Sequence, residues 1–210
     1  MSDLQPAPPP GTDLDPWLDT YALTASGLAQ SEVRALFAVA SRPEVVSLAG
    51  GMPYVQAIPR ELVAGAFDRM LLADGPAALQ YGSGQGLPRL REHILEVMAE
   101  EGITASVDDV VTTTGSQQAI DLVTKLFVDP GDVILAEGPS YVGALGVFRS
   151  YQAHVVHVAM DADGLVPELL EAAIAEQRAA GRRIKFLYTI PNFHNPAGVT
   201  LSAERRPRIV

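Results

Sequence analysis

Five short stretches of this chain place polar side chains where chemistry is commonly done. In Thr114-Gly115-Ser116-Gln117-Gln118 a β-rich run ends at a glycine and a helical run opens with hydroxyl and amide side chains. The first turn of a helix carries N–H groups without intrahelical partners and the positive end of the dipole, so this junction suits a phosphate. Ser116 and Gln117 can add donors to the same anion; alternatively Ser116 only caps the helix and Gln117 is solvated. No Gly-Lys-Ser/Thr follows, which excludes a Walker loop. Glu137-Gly138-Pro139-Ser140-Tyr141 follows another apolar run, and loops beyond the carboxyl ends of strands form the ligand crevice of open α/β sheets. There Tyr141 either lies against a flat heteroaromatic ligand or packs on the core. In Tyr188–Gly198 two prolines and a glycine stiffen a third strand-end loop, with Asn195 placed to face that crevice. A plain turn explains the prolines but does not need Asn192, His194 and Asn195 together. His194 is assigned no catalytic role. The last two stretches, Ser47–Pro53 with Gly50-Gly51 and Ala78–Gly86 with Tyr81, are glycine-rich loops that either admit a ligand close to the backbone or simply turn. No pair of His or carboxylates has metal-ligand spacing, so a metal site is not expected.

These stretches need elements to hold them. Residues 1–17 contain Pro6, Pro8, Pro9, Pro10 and Pro16 and almost no apolar pattern, which predicts a mobile arm extending to about residue 30. From Ser31 the spacing of Val33, Leu36, Phe37 and Ala40 predicts a helix, and Val45–Leu48 a short strand. Pro59 opens a second helix carrying Leu62, Ala66 and Met70; Pro88–Glu101 forms a third, stopped by Gly102. Beyond it, strands are expected at Val110–Thr114, Val133–Ala136, Val155–Val158 and Ile184–Ile190. Helices are expected at Ser116–Phe127, Tyr141–Arg149 and Pro167–Ala180, with a last one capped by Ser202. Strands alternating with helices predict an α/β fold, a three-layer sandwich with a mostly parallel sheet.

Composition narrows the function classes. The 210 residues include 15 Lys+Arg and 25 Asp+Glu, a net charge of −10, so non-specific binding to nucleic acid or an anionic membrane is a poor expectation. The absence of Cys excludes disulfides, thiol catalysis and Cys-ligated metal centres. No apolar run approaches the roughly 18 residues of a membrane span, and the first basic side chain is Arg34, unlike a secretory leader. A cytoplasmic location is expected.

Taken in order, the motifs VVSLAGGMP, ALQYGSGQGLPRLREHI, VVTTTGSQQAIDLVTKLFVDPGD, EGPSYVGAL and FLYTIPNFHNPAGVTLS resemble the class I/II (fold-type I) pyridoxal-phosphate-dependent aminotransferases. The chain looks nearest the branch that contains the 2-aminoadipate and kynurenine-type aminotransferases and the aminotransferase-like domains of some bacterial regulators. The likeness covers about residues 30 to 205 and the N-terminal half of such enzymes. It implies that Ser116 and Gln117 hold the phosphate of pyridoxal 5'-phosphate, that Tyr141 stacks on its ring, and that Asn195 donates to its phenolic oxygen. It further implies that Tyr81 reaches the phosphate of a neighbouring subunit, making a homodimer the expected unit. Gly51 then lies near the substrate carboxylate and Arg34 near the substrate side chain. The family also needs a lysine that forms the Schiff base. The two lysines present, Lys125 and Lys185, lie outside that motif's context, so no catalytic residue is assigned. The carboxylate expected at the pyridine nitrogen and the arginine that clamps the substrate carboxylate are missing too. The expectation is an arm over 1–30 and, over 31–210, the first part of a transferase domain that is inactive alone. The complete enzyme would exchange an amino group between an α-amino acid and a 2-oxo acid. Two alternatives share the fold: the ligand-sensing domain of a transcription regulator, and a lyase or decarboxylase on the same cofactor. Residues 1–30 are too short, too Pro-rich and too acidic to be the winged-helix domain such a regulator needs.

Overall fold

The computed structural model describes residues 17–22, 24–25, 42, 44–46 and 54–210. The Pro-rich arm to residue 16, the helix expected from Ser31, and both Arg34 and Gly51 lie outside the described residues. Val45 and Val46, the described part of the expected Val45–Leu48 strand, are exposed and pair with no strand.

The chain divides into two compact units, one of Gln30–Ser116 and one of Gln117–Val210 together with Met1–Ala29. In the first, helix α1 (Arg60–Asp74) follows Pro59, and helix α2 (Pro88–Glu100) begins on its own proline, where the missing N–H costs nothing. None of the α1 side chains is buried, and Arg91 is the single buried residue of α2. Arg91 Nη1 donates to the Val107 carbonyl at 2.8 Å and to Gln85 Oε1 at 3.3 Å. Gly86 has φ +99°, and a Cβ there would run into the Thr112 side chain, so this turn requires glycine. A single ladder-like bond, Thr112 N–H to the Gln85 carbonyl at 2.9 Å, is made by the segment 110–114. The strand expected over Val110–Thr114 is therefore absent. Its β-branched residues have the propensity, but no described strand lies beside them to complete a ladder.

The second unit holds the sheet. Helix α3 (Gly115–Phe127), whose first two residues belong to the other unit, leads into strand β1 (Val133–Gly138), helix α4 (Val142–Ser150) and strand β2 (His154–Asp161). A short strand β3 (Gly164–Leu165), helix α5 (Pro167–Ala179), strand β4 (Ile184–Tyr188) and helix α6 (Arg206–Ile209) follow. Strand order is β3-β2-β1-β4; β1 runs parallel to both neighbours, and β2 pairs antiparallel with β3. Alternation along β1 sends Val133 and Leu135 to one face and Ile134 to the other. On the first face they pack with Val158, Leu165, Leu170 of α5 and Leu201. On the second, Ile134 meets Ala144, Val147 and Phe148 of α4, with Ile120 of α3 against them. Helices thus cover both faces, which makes three layers and explains the unbroken apolar run of β1. The register of β4 slips by one residue, so that Val133 opposes Ile184 but Ile134 opposes Phe186. The extra residue, Lys185, reaches Asp132 Oδ2 at 3.2 Å. Ser202 does not cap the last helix: α6 starts at Arg206, preceded by turns, and its anchors are Arg205 and Arg208 rather than a hydroxyl.

Candidate functional site

Because β1 and β4 are adjacent and parallel, their carboxyl ends open on the same edge of the sheet. The loops leaving them carry two of the expected side chains, Tyr141 and Asn195, and α3 brings in a third. Gln117, in the first turn of α3, donates from Nε2 to the carbonyl of Gly143 in α4 at 3.0 Å, and the Tyr141 hydroxyl lies 3.5 Å from Gln117 Oε1. Gly143 permits this approach, since a Cβ on it would stand 2.5 Å from Tyr141 Cζ and 2.6 Å from Gln117 Oε1. The amide of Gln117 is thus turned toward α4, while Ser116 and Gln117 also offer backbone N–H groups in a first turn. Thr113 Oγ1 donates to the Gly115 carbonyl at 3.1 Å and steadies the entry to the helix.

Asn195 sits in a loop built from inside. The peptide bonds Gly138–Pro139 and Asn195–Pro196 are both cis, and Phe193, with φ +49°, occupies the left-handed region before His194. His194 itself is only 2% exposed. Its N–H donates to the Val199 carbonyl at 2.8 Å and its carbonyl accepts from Gly198 at 2.6 Å. Its Nδ1 accepts from the Ala197 N–H at 3.3 Å. Its Nε2 lies 3.1 Å from Glu137 Oε2, without a well-directed hydrogen bond. Glu137, 1% exposed near the end of β1, accepts the Thr189 hydroxyl at 2.9 Å on Oε1 and the Ile190 N–H at 2.7 Å on Oε2. Burial of Tyr188, then its neighbours Tyr141 and Glu137, push its phenol above the ordinary tyrosine range. Ser140 Oγ, also buried, has no hydrogen-bond partner.

The structure therefore brings Gln117 and Tyr141 together and puts Asn195 at the same end of the sheet. Tyr81 belongs to the Gln30–Ser116 unit and is 99% exposed, with its N–H bonded to Gln80 Oε1 at 2.9 Å. Sequence reasoning missed the pairing of Glu137 with His194. The signal available was a carboxylate at the end of an otherwise apolar strand, a position that burial makes costly unless a partner awaits it. Neither lysine joins this end: Lys185 is committed to Asp132, and Lys125 stands in the last turn of α3. Among the described residues no cluster of His, Asp or Glu suits a metal ion, and no helix is long and apolar enough to cross a membrane.

Comparison with known proteins adds family context. Residues 43–209 match the family model of class I and II aminotransferases. The chain is 39% identical over 191 residues to aromatic-amino-acid aminotransferase 1 of Thermococcus litoralis, covering 90% of the chain and 46% of that protein. It is 35% identical to the 2-aminoadipate transaminase of Thermus thermophilus, over 92% of the chain and 46% of that enzyme. Among solved structures, the kynurenine aminotransferase of Pyrococcus horikoshii, crystallised with PMP, superposes with a TM-score of 0.84 at 34% identity. That match takes in 92% of the chain and 48% of that enzyme. The chain spans about half the length of the curated relatives it matches.

Proposed function

The chain belongs to the class I and II aminotransferase family, and from that premise we propose that the complete protein is a pyridoxal-phosphate-dependent aminotransferase. It moves an amino group between an α-amino acid and a 2-oxo acid. One observation carries the reading: Gln117 and Tyr141 touch at the carboxyl end of a parallel sheet, the end from which the Asn195 loop also leaves, in a chain with this family's pattern. Pyridoxal phosphate, when bound, acts as an electron sink for the carbon that loses its proton. The chain's own residues bind and orient. Ser116 and Gln117 donate to the phosphate at the start of α3, where the helix dipole favours an anion. Tyr141 lies against the ring, and Asn195 donates to the phenolic oxygen. Tyr81 reaches the phosphate site of a partner copy, so the working unit is a homodimer. Gly51 lies beside the substrate carboxylate, and Arg34 reads the substrate side chain.

The donors present suit the cofactor's phosphate, ring and phenolic oxygen: hydroxyl and amide groups on a helix start, a phenol ring beside them, and an amide on a stiff loop. The lysine that completes catalysis is supplied from outside these 210 residues. We also assign the protein to the cytoplasm, with which a cysteine-free chain is compatible.

The test is reconstitution. The complete protein, incubated with pyridoxal phosphate, should develop the visible absorption of bound cofactor and transfer an amino group to a 2-oxo acid. The 210-residue chain alone should not transaminate. A complete protein that fails to bind the cofactor would end the proposal, and turnover by the short chain would overturn the account of the missing lysine. Arg34→Ala should shift preference away from acidic and polar amino acids; an unchanged substrate profile removes that role.

A further inference from the structure

We infer that Glu137 and His194 form a buried positioning pair that fixes the loop presenting Asn195. This inference rests on the cofactor reading above for the consequence, but the geometry stands in this chain's own residues. The carboxylate of Glu137 joins the end of β1 to the segment leaving β4, accepting from Thr189 Oγ1 at 2.9 Å and from the Ile190 N–H at 2.7 Å. Four residues further, the loop turns back and sets His194 Nε2 at 3.1 Å from the same Oε2. The side chains of the pair are 1% and 2% exposed.

The ring's tautomer follows from its other contact. Nδ1 accepts the Ala197 N–H, so in the neutral ring the proton sits on Nε2, the nitrogen nearest the carboxylate. The main chain of His194 meanwhile closes the loop through Val199 and Gly198. One buried residue thus holds residues 194–199 through backbone and ring together, and the exposed residue after it is Asn195. An apolar side chain of similar volume would fill the same space without the desolvation cost of two ionisable groups. What an apolar residue lacks is the acceptor for the Ala197 N–H and a polar group beside the Glu137 carboxylate. The pair selects one placement of the loop relative to β1, and with it the place of the Asn195 amide.

The experiment uses the complete protein with pyridoxal phosphate, measuring cofactor dissociation constant, absorption band and thermal unfolding. Asn195→Ala gives the reference loss. His194→Leu should weaken cofactor binding about tenfold and shift the absorption band as Asn195→Ala does. Added to Asn195→Ala, it should weaken binding no further, because it acts through that residue. His194→Gln, whose amide can both accept from Ala197 and donate toward Glu137, should stay within about twofold of the parent; this variant also decides the matter if His194→Leu fails to fold. The inference is overturned if His194→Leu binds cofactor normally while Asn195→Ala does not. It is equally overturned if the two losses add fully, or if His194→Gln loses as much as Asn195→Ala. If Asn195→Ala changes neither affinity nor absorption, the role of Asn195 in the cofactor reading falls, and the inference with it.

Discussion

Gly143 decides, by lacking a side chain, where two of the proposed cofactor contacts stand. A methyl group there would press on both the Tyr141 ring and the Gln117 amide. Gly143→Ala should destabilise the protein by about 1–3 kcal/mol, the usual cost of forcing side chains aside in a packed region. It should also weaken pyridoxal phosphate binding; urea unfolding and cofactor titration check the two effects, and an unchanged affinity would separate ring placement from binding. Tyr188 makes a different prediction. Burial, Tyr141 and Glu137 raise its phenol above the ordinary value of 10.0. The fold therefore keeps a proton that the unfolded chain releases as pH rises past about 10. Its contribution is present below that pH and is lost above it. Tyr151 is raised too, by burial and its hydrogen bond to Asp121. Spectrophotometric titration should therefore show more than one tyrosine ionising late, and Tyr188→Phe should remove one tyrosine from that late step.

At the scale of elements, the short helix α6 is tied down by charge. Arg205 binds Asp161 through both nitrogens, at 2.6 and 2.7 Å, and Arg208 binds Glu168 at 2.6 Å. These hydrogen bonds from Arg205 and Arg208 hold the two carboxyls below their ordinary values of 3.8 and 4.5. A lowered carboxyl favours the fold above its unfolded value and loses that contribution as pH falls through the folded one. Amide protection over residues 201–210, measured against the intrinsic exchange rate at each pH, should accordingly fall below about pH 4, and the double variant Asp161→Asn, Glu168→Gln should show low protection already at neutral pH. The same scale shows what sequence could reveal. Helices α1 to α5 and strands β1, β2 and β4 were legible because proline starts, glycine stops and apolar runs are local signals. The strand expected over 110–114 was not, because a strand exists only beside a partner. The pairing of β2 with β3 escaped for the opposite reason: two residues, Gly164 and Leu165, are too few to carry a period. That Tyr141 and Gln117 follow neighbouring strand and helix starts was legible from the motifs, and the structure sets the two side chains together. The Glu137–His194 contact was not legible, since it joins residues 57 apart by number (194 minus 137) through the packing of a loop.

Over the whole molecule, apolar side chains remain on the outside of both units. Leu62, Phe67 and Leu72 are exposed in one, and Leu126 and Phe127 in the other. Exposed apolar area of this kind drives association, so the 210-residue chain should scatter light increasingly with concentration. A sharp cooperative melt of a strictly monomeric species would contradict this. The strand order also bears on how the chain is made. β1 lies between β2 and β4, so one of its edges can be satisfied soon after it leaves the ribosome, while the other waits for Ile184–Tyr188. From Gly138 to Ile184 is 46 residues (184 minus 138), roughly 2–9 s of translation at ordinary elongation rates. During that interval the nascent protein presents an apolar strand with one open edge, which makes this stretch of synthesis the moment when a chaperone has most to cover.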